Sequence, residues 1–167
     1  MIFEPLPEST TREYKAAFCW NRRSQQADGN LRKGTLKSVA AFLNTEGGEL
    51  WIGVADDLST IGLADELEAL TQGQDLDQFQ NLIEETLYRN LFPLPLRHVE
   101  VGFVPHEGHL LCRVLVRPMP GVTYVKEGGT HTVYVRTGNR TLTLHDLARD
   151  EFIASRMGGR WTLGPGG

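Results

Sequence analysis

Apolar residues recur at helical spacing in two stretches of this chain and alternate or cluster elsewhere. Leu36, Val39, Ala40 and Leu43 fall at i, i+3, i+4 and i+7, which predicts a helix over 33–45. Leu76, Phe79, Leu82, Ile83 and Leu87 make the same stripe over 75–90, and Pro93 and Pro95 mark its end. Between the two helices, 49–54 reads as a buried strand after the Gly47-Gly48 turn, with Ala55-Asp56-Asp57 as its exit. Residues 13–20 read as a strand with Tyr14, Ala16 and Phe18 on one face. The second half predicts strands at 97–104, 109–117, 122–126 and 132–136, with His106-Glu107-Gly108 as a hairpin turn. A closing helix over 143–156 would turn Leu144, Leu147 and Ile153 inward.

The remaining segments are polar or rich in glycine and proline. Residues 1–7 read as an extended arm, 21–32 as a mobile loop around Asp28-Gly29-Asn30, and 158–167 as a flexible Gly-rich tail. The element order predicts an α+β domain over 1–157, with a mixed β-sheet flanked by helices. A chain of 167 residues with 40% apolar and 23% charged residues can bury a core of that size. Its net charge of −4 excludes a protein that coats nucleic acid by bulk charge, although a local basic face stays compatible with that value. No apolar run is long enough to cross a membrane and no secretory leader opens the sequence, so the expected compartment is the cytoplasm. Cys19 and Cys112 have no CxxC spacing and read as small buried apolar residues.

Candidate chemistry is concentrated in the acids and bases. Glu8 and Glu13, together with Asp56 at a strand exit, offer oxygen ligands of the kind that Mg²⁺ or Mn²⁺ prefers. Such a metal can activate water and offset charge on a phosphoryl group; the alternative is that all three are solvated surface acids. Lys15, two residues beyond Glu13, shares its strand face and could hold a phosphate or simply pair with Glu13. Arg22, Arg23, Arg32, Lys33 and Lys37 cluster in and after the polar segment, and Arg136 and Arg140 flank a turn. Arginine forks suit phosphate oxygens, and a salt-bridged surface would use the same residues. The glycines of Asn44-Thr45-Glu46-Gly47-Gly48 follow a helix and lack a Walker pattern, so this turn is read as structural. His106 and His109 straddle the hairpin turn, and neither a histidine metal site nor a nucleophilic triad is predicted.

Four ordered motifs resemble the Schlafen AlbA-type family. They are the acidic segment Glu8 to Lys15, the helix end Ala41 to Gly48, the strand end Ile52 to Asp56, and Tyr134 to Asn139. The resemblance implies a Schlafen-core-like domain that binds nucleic acid, RNA or DNA. In nuclease members, two glutamates and an aspartate form a divalent-metal site that cleaves structured RNA such as tRNA. Glu8, Glu13 and Asp56 match those positions, which would make the chain a metal-dependent endoribonuclease with Lys15 offsetting charge and the basic set holding the backbone. The alternative is a non-catalytic nucleic-acid-binding regulator or defence component. The better-known nucleases pair two such lobes around RNA, and a homodimer would supply the second here.

Overall fold

The computed structural model describes residues 1–157, in the order β1 (Arg12–Lys15), β2 (Trp20–Asn21), β3 (Gln26–Ala27), α1 (Gly29–Leu43), β4 (Gly48–Ile52), α2 (Ala64–Leu70) and α3 (Leu76–Asn90). Then follow β5 (Leu91–Phe92), β6 (Val99–His106), β7 (His109–Val116), β8 (Tyr124–Glu127), β9 (Thr130–Thr137), β10 (Arg140–Leu144) and α4 (Asp146–Met157). One sheet is mixed and runs β1-β4-β7-β6, with β1 parallel to β4; the other runs β10-β9-β8-β5, antiparallel throughout. The α+β expectation therefore holds, with the mixed sheet as one of two four-stranded sheets. The expected tail at 158–167 lies outside the described residues.

Helix α1 packs against strands of both sheets and is buried on nearly every side from Ala40 to Leu43. It starts earlier than the apolar stripe because Asp28 caps it, its carboxylate accepting the Asn30 N–H at 2.9 Å. At its other end Asn44 is fully buried and joins the helix to the second sheet. Its amide donates to the carbonyls of Thr123 and Tyr134, both at 2.9 Å, and its oxygen accepts the Thr123 N–H at 2.7 Å. Gly47 follows at φ +75°, and a Cβ there would lie 2.5 Å from the Val116 carbonyl oxygen. The structural reading of the Asn44 to Gly48 turn is thus explained by a buried clamp and a close backbone approach.

Period two in the first sheet sorts its side chains. Leu50 and Ile52 face the main core, together with α1 and α3, while Tyr14 and Trp51 face the other way into a smaller cluster with Phe3. Phe3 is nearly fully buried, its ring 4.8 Å from that of Trp51, so the arm at 1–7 is pinned across the sheet rather than loose.

Three expectations need correction. The strand at 13–20 ends at Lys15, because the amides of Phe18, Cys19 and Trp20 go to the buried carboxylate of Glu66 rather than to a neighbouring strand. The segment 21–32 is not a free loop but the β2–β3 hairpin and the first turn of α1. Asn21 accepts the Arg23 and Ser24 N–H groups and donates to Asp28 at 3.1 Å. In the last helix Leu147 is 82% exposed and no residue is buried, and Leu144 belongs to β10. Arg156 tethers α4 instead, donating to the carbonyls of Met119, Leu43 and Gly121. Helix α2 has no counterpart among the expected elements, although Leu63, Leu67 and Leu70 fall at i, i+4 and i+7 and pack on the main core; its other buried position is Glu66.

Candidate nucleic-acid interface

The acids and the lysine singled out from the sequence fall in two clefts beside one sheet edge. Strand β1 is the edge strand of the first sheet, and Glu13 and Lys15 share the inner face with their register partners Leu50 and Ile52. There they line a cleft of about 170 Å³ with Asn139, Thr141 and Thr143 and with Gly34, Lys37 and Ser38 of α1. Glu8 and Asp56 line a separate cleft of about 360 Å³ beside Tyr14. Asn139, in the β9–β10 turn, borders both.

Each acid has different company. Glu8 accepts the Tyr14 N–H at 3.2 Å, whereas Asp56 is exposed. One oxygen of Glu13 is bound by Arg136 and the other lies 3.5 Å from Lys15 Nζ. Among the described residues, no group of three or more His, Cys, Asp or Glu side chains is gathered as a metal would require. A resident ion held jointly by Glu8, Glu13 and Asp56 does not fit this arrangement. The alternation along β1 is the cause, since it turns Glu13 to the face opposite Tyr14.

Arg136 also departs from its expected role. Its guanidinium is 1% exposed and donates to the Ser9 carbonyl at 2.9 and 3.1 Å, to the Arg12 carbonyl at 3.0 Å and to Thr141 Oγ1 at 3.3 Å. With Glu13 as the counter-ion, every edge of the fork is used within the protein, so it holds chain segments together rather than phosphate. Arg140 stays exposed at the start of β10.

The other cations are spread along α1 and the hairpin before it. Lys37 Nζ lies 5.4 Å above the Tyr134 ring, Lys33 is 3.5 Å from Glu127, and Arg32 reaches to within 3.6 Å of Cys19 Sγ. Arg22 pairs with Asp65 at 3.0 Å, and Arg23 is exposed with no ion pair among the described residues. Burial opposes the charge of Glu127. Hydrogen bonds from Thr132 and Tyr134 and the charge of Lys33 outweigh it and hold the carboxyl below its ordinary value.

Two carboxylates that the sequence did not single out organise these surfaces. Glu49, on the outer face, binds Arg113 at 2.5 Å, Trp51 at 3.0 Å and Arg12 at 3.3 Å. Burial works against its charge, but these donors prevail and lower its pKa. Glu66 is buried and accepts three successive amides, from Phe18 at 2.7 Å, Cys19 at 2.8 Å and Trp20 at 3.0 Å. Burial pushes its pKa up despite those bonds. Nothing in the local sequence signals Glu66, because its partners lie more than 45 residues away. Both cysteines are buried and free, and His106 packs against Phe3, consistent with structural roles.

The family model described as "Schlafen, AlbA_2" matches residues 8–145. The chain belongs to that family. The match runs from the acid Glu8 through the Asn139 turn, so it takes in the lining of both clefts except Pro7. The fold is similar to that of the DIP2311 protein from Corynebacterium diphtheriae, with a TM-score of 0.57 at 16% identity. That alignment covers 86% of this chain and only 23% of the other. The N-terminal domain of a RecG-related protein from Nitrosomonas europaea aligns with a TM-score of 0.46 at 20% identity, over 85% of this chain and 89% of that one. No curated protein matches the sequence. Among the described residues, no helix is long and apolar enough to cross a membrane.

Proposed function

We propose that this domain binds nucleic acid, with the phosphate backbone following the exposed face of α1. The observation that carries this reading is the inner cleft. Lys15, beside Glu13, and Lys37 meet there with the Asn139 amide and the hydroxyls of Thr141 and Thr143, next to Gly34, which leaves a gap between the side chains of α1. Ammonium groups and hydroxyls of this kind contact phosphate oxygens without reading sequence, and small residues allow a close approach. Membership of the Schlafen AlbA_2 family supports the same reading.

A second reading is cleavage of the bound strand as a divalent-metal-dependent endoribonuclease acting on structured RNA such as tRNA. It is favoured by Glu8 and Asp56, which share the cleft next to the phosphate track; without Glu13, an ion there would draw its remaining oxygen ligands from the bound strand. Pairing of two copies would extend that track into a longer groove.

One experiment tests both readings. Labelled tRNA and a DNA duplex are titrated with the protein over a range of salt concentrations, with Mn²⁺, with Mg²⁺ or with chelator. Binding that weakens with salt, and that loses part of its salt slope in a Lys15→Ala, Lys37→Ala double variant, supports the backbone track; each lost phosphate contact lowers the slope by about 0.7–0.9. Metal-dependent products that disappear in Asp56→Asn would establish the nuclease. A shift without products leaves a binding domain, and the absence of any shift at low salt overturns the nucleic-acid reading.

A further inference from the structure

Behind the first turn of α1 lies a third cleft, of about 350 Å³, whose walls combine apolar and cationic groups. Ala16, Ala17, Leu31 and the half-buried Trp20 supply the apolar surface, and Arg22 and Arg23 stand at the same opening. Its volume falls within the range of about 300–1,000 Å³ usual for small-molecule clefts. None of the family motifs passes through Trp20, Arg22 or Arg23.

We propose that this cleft is a nucleobase subsite, in which one unpaired base of a single strand stacks on Trp20 while Arg22 and Arg23 hold the flanking phosphates. The inference deepens the nucleic-acid reading above and rests on it. Three observations converge on that occupant. First, an aromatic ring bordered by small apolar residues offers a base a π-face and room to lie flat, and such stacking tolerates any base. Second, the charge at the mouth is complementary to phosphate: Arg23 is exposed with no ion pair among the described residues, and Arg22 is held in place by Asp65 at 3.0 Å. Third, the cleft continues the proposed track. Leu31 lines this cleft while Gly34 and Lys37 line the inner one, at i, i+3 and i+6 on α1, so about 9 Å of helix separates the stacking surface from the lysine site.

The platform is also preorganised. The Glu66 carboxylate holds the Trp20 N–H at 3.0 Å, together with the two amides before it, and the hairpin pairs Trp20 with Ala27. A ligand therefore meets a backbone already fixed, which reduces the ordering cost of binding. Because Glu66 binds the main chain, a substitution of the Trp20 side chain leaves that anchor intact.

The test compares a labelled single-stranded oligonucleotide with an abasic sugar-phosphate chain of equal length, using the full chain and its variants. The unmodified protein is expected to prefer the base-bearing strand on the order of 10- to 100-fold, as aromatic stacking of one base would give. Trp20→Ala should erase that preference, Trp20→Phe should keep most of it, and Arg23→Ala should weaken both ligands alike. Quenching of indole emission by the base-bearing strand, present in the unmodified protein and lost in Trp20→Phe, gives a second readout that needs no Ala variant. Equal affinity for the two strands, or a preference that survives Trp20→Ala, would overturn the subsite while the backbone track stands. Failure to bind either strand also overturns the subsite, and the tRNA and duplex titration above decides whether the backbone track falls with it.

Discussion

The Arg136 junction and the Trp20 hairpin are both rich in arginine, and they use it in opposite ways. At the junction the guanidinium is enclosed, its donors spent on Glu13, Thr141 and two backbone carbonyls, so the charge welds β1 to β9. At the hairpin Arg22 and Arg23 are exposed, Arg22 paired with Asp65 at 3.0 Å and Arg23 with no ion pair among the described residues, and the carboxylate that organises the segment, Glu66, binds main-chain amides instead of side-chain cations. The lesson is that a basic residue near a cleft reveals its role through what it has already bound. A fork satisfied inside the protein supports the fold, and a fork left open is free for phosphate.

That contrast can be broken most severely at Arg136. Arg136→Leu leaves Glu13 without its enclosed partner and frees the Ser9 and Arg12 carbonyls, and removing one member of a buried pair costs about 3–5 kcal/mol. Urea denaturation should record a loss of that size; a change below about 1 kcal/mol would mean that the fork does not weld β1 to β9.

Glu66→Gln should cost less, about 1–3 kcal/mol, because one amide donor faces another and at least one buried N–H is orphaned. Its pH dependence has a definite sign. Burial raises the folded-state pKa of Glu66 above its ordinary value of 4.5, so between the two values the folded protein binds more protons than the unfolded chain. Its contribution is therefore fully present below 4.5 and is lost as pH rises through the raised value. Denaturation midpoints of the parent minus those of Glu66→Gln, followed upward from pH 4, should decline; a difference that grows with pH would contradict the burial argument. The smallest effect on stability belongs to Arg23→Ala. As an exposed substitution it should stay within about 0.5 kcal/mol of the parent, while its nucleic-acid affinity becomes weaker and less salt-dependent.

Much of the architecture was legible in the sequence because periodicity reports burial directly. The stripes of α1 and α3 and the strands β4 and β6 to β9 lie where the pattern predicted. The misses share a physical cause. In 16–20 and in the docking of α4, whose helix was expected but not its exposed Leu147, polar side chains settle the conformation through distant partners. Glu66 gathers amides from the other side of the core, and Arg156 docks a helix that buries no apolar residue. Local apolar spacing carries no trace of such contacts. The candidate site was legible in its residue types but not in their company. Lys15, Glu13 and Lys37 do share one cleft, yet residue spacing does not tell that Glu13 lines a different cleft from Glu8 and Asp56, or that Arg136 is enclosed while Arg140 stays open.

The enclosure of Arg136 bears on how this domain meets its neighbours. Strand β1 lies at the rim of the mixed sheet, and an unpaired rim is a template on which a foreign strand can zip. Here the Arg12 carbonyl is occupied twice, by the Ser9 N–H at 3.0 Å and by the Arg136 fork at 3.0 Å. The chain thus blunts its own rim with a hook of four residues and a cationic latch. Copies of this domain are kept from fusing edge to edge along β1, and the polar clefts beside it stay open to solvent.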